Sequence, residues 1–159
     1  MDLVRSYCRS LDDHGFEYIV LAPTHGGNFG PVKTVAPEIA REIEAAVITL
    51  ADLDEHMELL NEGLTEAGVE YEQDVIHAGA AETAMVMAID EGLVREDQFE
   101  PGPEGDFSPA RLLSEGFRSI TENGVLGDPT EATAEAGETI IERVVEAYVD
   151  HIEAERQSI

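Results

Sequence analysis

Two histidines in this chain of 159 residues stand where side chains do chemistry. His25 ends the run Tyr18-Ile19-Val20-Leu21-Ala22-Pro23-Thr24 and His77 ends Asp74-Val75-Ile76, each a short extended piece followed by glycine. Small neighbours at Gly26, Gly27, Asn28 and Gly79 leave room for a substrate to approach the backbone. Glu82 lies five residues beyond His77, in the first turn of a helix that starts near Gly79. His77 and Glu82 then both point into the space above that helix N-terminus. Two imidazoles and a carboxylate suit Zn²⁺, Mn²⁺ or Fe²⁺.

Spacing leaves other readings open. An acid in a first helical turn gains about 0.3–1 kcal/mol from the helix dipole with no ligand at all. Gly26-Gly27-Asn28-Phe29-Gly30 has the character of a phosphate cradle at a helix start, although it fits neither the dinucleotide nor the P-loop pattern. No Gly-x-Ser-x-Gly elbow occurs, and Cys8, the single cysteine, falls in a helical pattern as a buried, inert thiol. His14, His56 and His151 sit at helix ends or on exposed faces, where solvation is their expected state.

The elements that must position these residues read as α/β. Residues 2–14 form an amphipathic helix with Leu3, Val4, Tyr7, Cys8 and Leu11 on one face and Gly15 as its stop. A strand at 17–22, buried on both faces, follows at once. Residues 31–44 look helical, with Pro37 in the first turn of the helix proper and an irregular approach over 32–36. Residues 45–50 are a second buried strand. Asp52 caps a helix whose apolar face is Leu53, Met57, Leu60 and Leu64 and whose stop is Gly68. Residues 80–92 form a helix with Ala84, Met85, Met87, Ala88 and Leu93 inward. A Pro- and Gly-rich loop from Arg95 to Ser108 is either a cover over a site or plain surface. Gly124–Pro129 is a turn, and Thr130 caps a last helix running nearly to Ser158. The expected architecture is a single domain, 1–159, with helices around a small, mostly parallel sheet.

Composition narrows the function classes. Asp and Glu number 35 against 9 Lys and Arg, for a net charge of −26, with Lys33 the only lysine. No basic stripe exists to neutralise phosphates, which argues against nucleic acid. The acids are spread along the whole chain, as expected of a salt-adapted protein whose self-repulsion is screened at high ionic strength. Neither a signal peptide nor a membrane-length apolar stretch is visible, so the expected compartment is the cytoplasm, with no membrane partner.

Three segments taken in order carry a resemblance. Thr24-His25-Gly26-Gly27-Asn28 is similar to an Asn-Gly-His-Gly-Gly-Asn turn. Asp74–Thr83, DVIHAGAAET, is similar to Asp-x-His-Ala-Gly-Glu-x-Glu-Thr-Ser, with one extra residue before the histidine. Gly124–Ala134, GVLGDPTEATA, is similar to Gly-Val-x-Gly-Asp-Pro-x-x-Ala-Thr. All three belong to the creatininase (creatinine amidohydrolase) family, which the chain resembles over nearly its whole length.

That resemblance implies an α/β sandwich and a metal-dependent hydrolase of cyclic or formyl amides, with metal-activated water as the nucleophile. His25 and Glu82 would be ligands to a divalent metal (Zn, Mn or Fe), and His77 would handle protons or orient the substrate. The partners it implies are a small-molecule amide and further copies of the chain in a homo-oligomer. The chain departs from the family pattern in three places: Pro23-Thr24 stands for Asn-Gly, Ala80 for the first Glu, and Ala84 for the Ser of Thr-Ser. The family's other His, Glu and Asp ligands lie in an N-terminal region preceding the part this chain resembles. The expectation is therefore a sandwich lacking its N-terminal part, with an incomplete metal site and an exposed apolar sheet edge. The alternative is a catalytically inactive homologue acting as a binding or assembly subunit.

Overall fold

The computed structural model describes residues 1–69, 77–103 and 108–159. These fall into two units, residues 1–55 with 146–159, and residues 56–145.

In the first unit, α1 (Asp2–Asp13) stops where Gly15 takes φ +82°, a conformation that costs glycine little. Two parallel strands follow, β1 (Tyr18–Leu21) and β2 (Ala46–Thr49), in register from Tyr18 opposite Ala46 to Leu21 opposite Thr49. Parallel pairing requires a long crossover, supplied by α2 (Gly26–Ile39). The core of this unit is Cys8, Ile19, Val35, Ile39 and Ala45, with Val4, Leu11, Leu21, Ile43 and Val47 packed against it. The Asp12 carboxylate accepts hydrogen bonds from the Glu44 and Ala45 amides at 3.0 and 2.8 Å, anchoring the entry to β2. Scarce arginines tie α1 to α2 and the residues after it: Arg5 to Glu38 at 2.6 Å and Arg9 to Glu42 at 2.9 Å.

Three expectations are corrected here. The face of α1 is only partly buried, since Leu3 and Tyr7 stay 69% and 65% exposed. β1 is buried on one face, not two: Ile19 enters the core, while Tyr18 and Val20 are left partly exposed. Tyr18 carries the Arg156 guanidinium 5.0 Å over its ring. Finally, α2 begins at Gly26, directly after His25, with Pro31 and Pro37 inside it. Burial of Phe29, Val35, Ala36 and Ile39 along this helix outweighs the weak helical preference of glycine and proline.

In the second unit, α3 (Leu53–Glu66, the part from His56 onward), α4 (Ala80–Ile89) and the start of α6 (Ala134–Ser158) share a core of Leu60, Leu64, Ala81, Ala84, Met87, Ala136 and Ile140. Their backbones come close because the contacts are small. A side chain at Gly137 would collide with the Ala84 carbonyl, and one at Gly63 with Ile140. Arg143 clamps α6 to α3, donating to Glu62 at 3.0 Å and Glu66 at 2.7 Å. Asp52 caps α3 as expected, accepting from the Asp54 amide at 3.1 Å. Gly68, at φ +74°, ends it.

α5 (Pro109–Glu115), unforeseen in the sequence, is capped by the Ser108 hydroxyl. α4 ends at Ile89 because the Asp90 carboxylate takes the Gly92 amide at 2.9 Å and starts a 3-10 turn, leaving Leu93 68% exposed and not inward. The cap of α6 is Thr133, whose hydroxyl accepts from the Ala136 amide at 3.1 Å. Thr130 is bound instead to Asp128, at 2.6 Å. The class is α/β with a small parallel sheet and flanking helices, as the sequence implies. Among the described residues no helix is long and apolar enough to cross a membrane.

Candidate functional site

His25 closes the turn after β1 and is the residue immediately preceding α2, with extended φ −129° and ψ 129°. Its carbonyl accepts the Asn28 amide at 2.8 Å, so the helix begins within the His25-Gly26-Gly27-Asn28 turn itself. The imidazole folds back over that turn. A side chain at Gly27 would come within 3.1 Å of His25 Nε2, whereas Gly26 and Gly30 face open space. Of the three glycines, Gly27 alone is needed for the histidine to lie as it does. His25 is exposed at the carboxyl end of β1, the sheet edge where open α/β folds bind ligands.

His77 is held differently. Asp74, Val75 and Ile76, the extended piece expected before it, lie outside the described residues. From His77 onward the chain forms a one-residue antiparallel bridge to Leu126, the two amides donating to the opposite carbonyls at 3.1 and 2.9 Å. Ala78 then turns through φ +52°, an uncommon state for a residue with a Cβ. Gly79 lies against the backbone of Gly127 and Asp128, and α4 starts at Ala80.

The Glu82 carboxylate reaches back over this turn. Its Oε2 accepts the Ala78 amide at 2.5 Å and lies 3.8 Å from His77 Nδ1. Both side chains are 37% exposed, so solvent and ligands reach them. The turn that bridges His77 is braced from behind. Thr121, buried, donates to Asn123 at 2.9 Å, and Asn123 donates to the Pro101 carbonyl at 3.1 Å. The Gly102 amide donates to Gly127 at 2.8 Å. The described part of the 95–108 loop therefore buttresses the bridge partner of His77.

Two neighbours escaped the sequence. The Phe117 ring lies 4.6 Å from the His77 ring, centroid to centroid, tilted by 53°. No local pattern could have announced it, since the contact joins segments distant in sequence. His56, expected to be solvated, is half-buried. Burial lowers its pKa from the usual imidazole range, and the Glu82 carboxylate partly opposes that shift. The signal for His56 was present: it precedes Leu60 and Leu64 at successive four-residue steps on the buried face of α3. Cys8 is 1% exposed and burial raises its pKa, as an inert thiol should show.

His77 and Glu82 are thus brought together as expected, while His25 belongs to the other unit. The donor types suit a divalent metal, and Glu82 keeps its second oxygen clear of the Ala78 amide. The number of donors does not suffice: among the described residues no group of three His, Cys, Asp or Glu side chains is placed to hold a metal ion, and metal centres ordinarily use three or four protein ligands.

Comparison with known proteins agrees with this fold. A mutant creatininase of Zn-Zn type superposes with a TM-score of 0.77 at 24% identity, covering 96% of this chain and 62% of that one. The mycofactocin precursor peptide peptidase of Mycolicibacterium smegmatis is 38% identical over 79 residues, 48% of this chain and 32% of the relative. That of Mycobacterium ulcerans is 35% identical over 79 residues, 48% of this chain and 31% of the relative. The chain thus matches about a third of the length of these peptidases and under two thirds of the solved creatininase. The Creatininase family model, creatinine amidohydrolase, matches residues 1–152. The chain belongs to the creatininase family.

Proposed function

We propose that this chain carries part of the active centre of a metal-dependent hydrolase of amide C–N bonds. The observation that carries the reading is the Glu82 carboxylate standing 3.8 Å from His77 in a half-exposed turn of a creatininase-family chain. In this reading His25 and Glu82 are each a ligand to a divalent metal (Zn, Mn or Fe), and the remaining ligands come from outside the described residues. Such a metal, when bound, supplies Lewis acidity and lowers the pKa of water. His77 holds a proton at its ring and passes it to the leaving nitrogen. Gly26, Gly27 and Asn28 leave backbone exposed to a substrate, whereas Gly79, expected to do the same, is buried against Gly127 and Asp128. Cyclic and formyl amides are the expected substrate class. Peptide amides belong in the same screen, because the mycofactocin relatives are named as peptidases. A homo-oligomer is the expected assembly and the cytoplasm the expected compartment.

The test is metal analysis of protein purified in high salt, followed by hydrolysis assays on those three amide classes. Stoichiometric metal in the wild type, lost in His25→Ala and in Glu82→Ala, is the expected result. A wild type with no metal and no hydrolysis overturns the reading and leaves a binding or assembly subunit in its place.

A further inference from the structure

We propose that Arg118 binds substrate at the candidate site, pairing with a carboxylate carried by the amide that is hydrolysed there. The inference rests on the His77–Glu82 turn being the reactive site of the proposed function, and it names the class of amide that the site takes.

Cations are scarce in this chain, 9 against 35 acids, and most of them are committed. Arg5, Arg9, Lys33, Arg111 and Arg143 each pair with a carboxylate, and Arg156 lies over the Tyr18 ring. Among the described residues Arg41, Arg95 and Arg118 have no such partner. Of these three, Arg118 is the one whose chain neighbour touches His77. It follows directly on Phe117, whose ring centroid is 4.6 Å from that of His77, and its Cα is about 3.8 Å from that of Phe117. Arg118 is exposed, as the half-exposed His77 and Glu82 are open to solvent beside it.

The lack of a partner is built into the local geometry. Glu115 and Glu122 are the nearest acids in the chain, at spacings that pair opposite charges along a continuous helix. Here α5 ends at Glu115 and Gly116 turns the chain through φ +79°, so Glu115 and Arg118 share no helix face. Arg111 takes Glu115 instead, its Nε donating to the carboxylate at 2.8 Å, while its Nη2 donates to the Ser119 carbonyl at 2.9 Å. One arginine thus neutralises the near acid and fixes the backbone next to Arg118. The Ser119 hydroxyl donates to the Gly116 carbonyl at 2.8 Å and the Thr121 amide to the Phe117 carbonyl at 3.0 Å, which pins the 3-10 turn Phe117–Ser119 at both ends. Glu122 lies beyond that turn. A cation held unpaired on a pinned turn is arranged for a ligand, not for a structural ion pair.

The guanidinium sets the ligand class. Its planar fork of donors matches the two oxygens of a carboxylate, which a neutral amide does not offer. The net charge of −26 repels an anion at long range, but in salt near 1 M that repulsion extends only about 3 Å. Direct contact with Arg118 then supplies the recognition.

The experiment compares N-formylglycine with its uncharged counterpart N-formylglycinamide. Each is titrated into the intact, metal-free chain in high salt and followed by ¹H–¹⁵N correlation of the backbone amides. The wild type is expected to bind the carboxylate about three- to fivefold more tightly, the upper range for an exposed ion pair, with shifts at residues 116–119 and at His77. Arg118→Gln is expected to abolish the preference, and Arg95→Gln, which removes an equally unpaired arginine, to leave it intact. Amide dispersion reports the folding of each variant. A wild type that binds neither probe or both alike overturns the proposal. So does a folded Arg118→Gln protein that keeps the preference, or an equal loss in Arg95→Gln, which would assign the effect to overall charge. Because the readout needs neither metal nor turnover, failed metal binding would refute the proposed function without altering this result.

Discussion

Glu82 offers the sharpest separation between a side chain that serves the fold and one that serves only a ligand. Its Oε2 accepts the Ala78 amide at 2.5 Å, across a turn that Ala78 holds at φ +52°. Left-handed backbone costs a residue with a Cβ about 1–2 kcal/mol, so the turn persists only where neighbouring bonds oppose that cost. A hydrogen bond to a charged acceptor contributes about 1.5–3 kcal/mol. Glu82 is 37% exposed, which argues for the lower end, about 1.5 kcal/mol, once solvent screening is counted. Glu82→Ala removes the whole bond. Glu82→Gln keeps a neutral carbonyl acceptor and is expected to cost about a third to a half of that, since neutral bonds are roughly half as strong. Both changes also delete one negative charge from a chain of net −26. At about 1 M salt the Debye length is only about 3 Å, so relief of repulsion is small under the conditions of the test. The assay is urea unfolding followed by circular dichroism, in high salt with a chelator present so that metal linkage does not contribute. The expected order of stability is wild type, then Gln, then Ala. If both variants unfold at the wild-type urea concentration, Glu82 is a ligand alone and the clamp on the His77 turn does not exist in solution.

Three further outcomes are expected. Gly137→Ala drives a methyl into the Ala84 carbonyl and should destabilise by about 1–3 kcal/mol, read as a lower urea midpoint; an unchanged midpoint would mean that α4 and α6 do not pack as described. His56 has its pKa lowered by burial, so the folded state resists its protonation. The associated loss of stability is absent above about pH 6.5, grows as pH falls through that unfolded value, and levels off below the folded one. His56→Gln should flatten this part of the metal-free stability-versus-pH curve, and an unaltered slope would contradict the burial argument. Dialysis from high to low salt should reduce the helical circular dichroism signal as repulsion among the carboxylates lengthens its range; full retention would show that the charge is tolerated without screening.

Much of the fold was legible because its signals are local. Gly15 and Gly68 end helices at φ +82° and +74°, and Asp52 caps α3 with its own carboxylate. Each acts on backbone groups within a few residues, so sequence order is enough to read it. The same holds for His77 and Glu82, which meet because a helix begins between them. Expectations failed where a local preference met a tertiary one. Glycines and prolines argued for a late start to α2, yet burial of Phe29 and Val35 carries the helix back to Gly26. Thr130 and Thr133 are equally good caps by type; Asp128 engages the first and leaves the second to α6.

The sequence by itself thus determined the α/β class, the helix stops, the pairing of His77 with Glu82, and the motifs that mark the family. Only the tertiary structure decided that β1 buries a single face, that Glu82 comes within electrostatic reach of His56, and that the Phe117 ring meets the His77 ring at a tilt. The physical reason is range. Caps, turns and periodicity act through bonds spanning a few residues, whereas which face is covered and which ring meets which depend on chain reversals whose outcome only packing fixes.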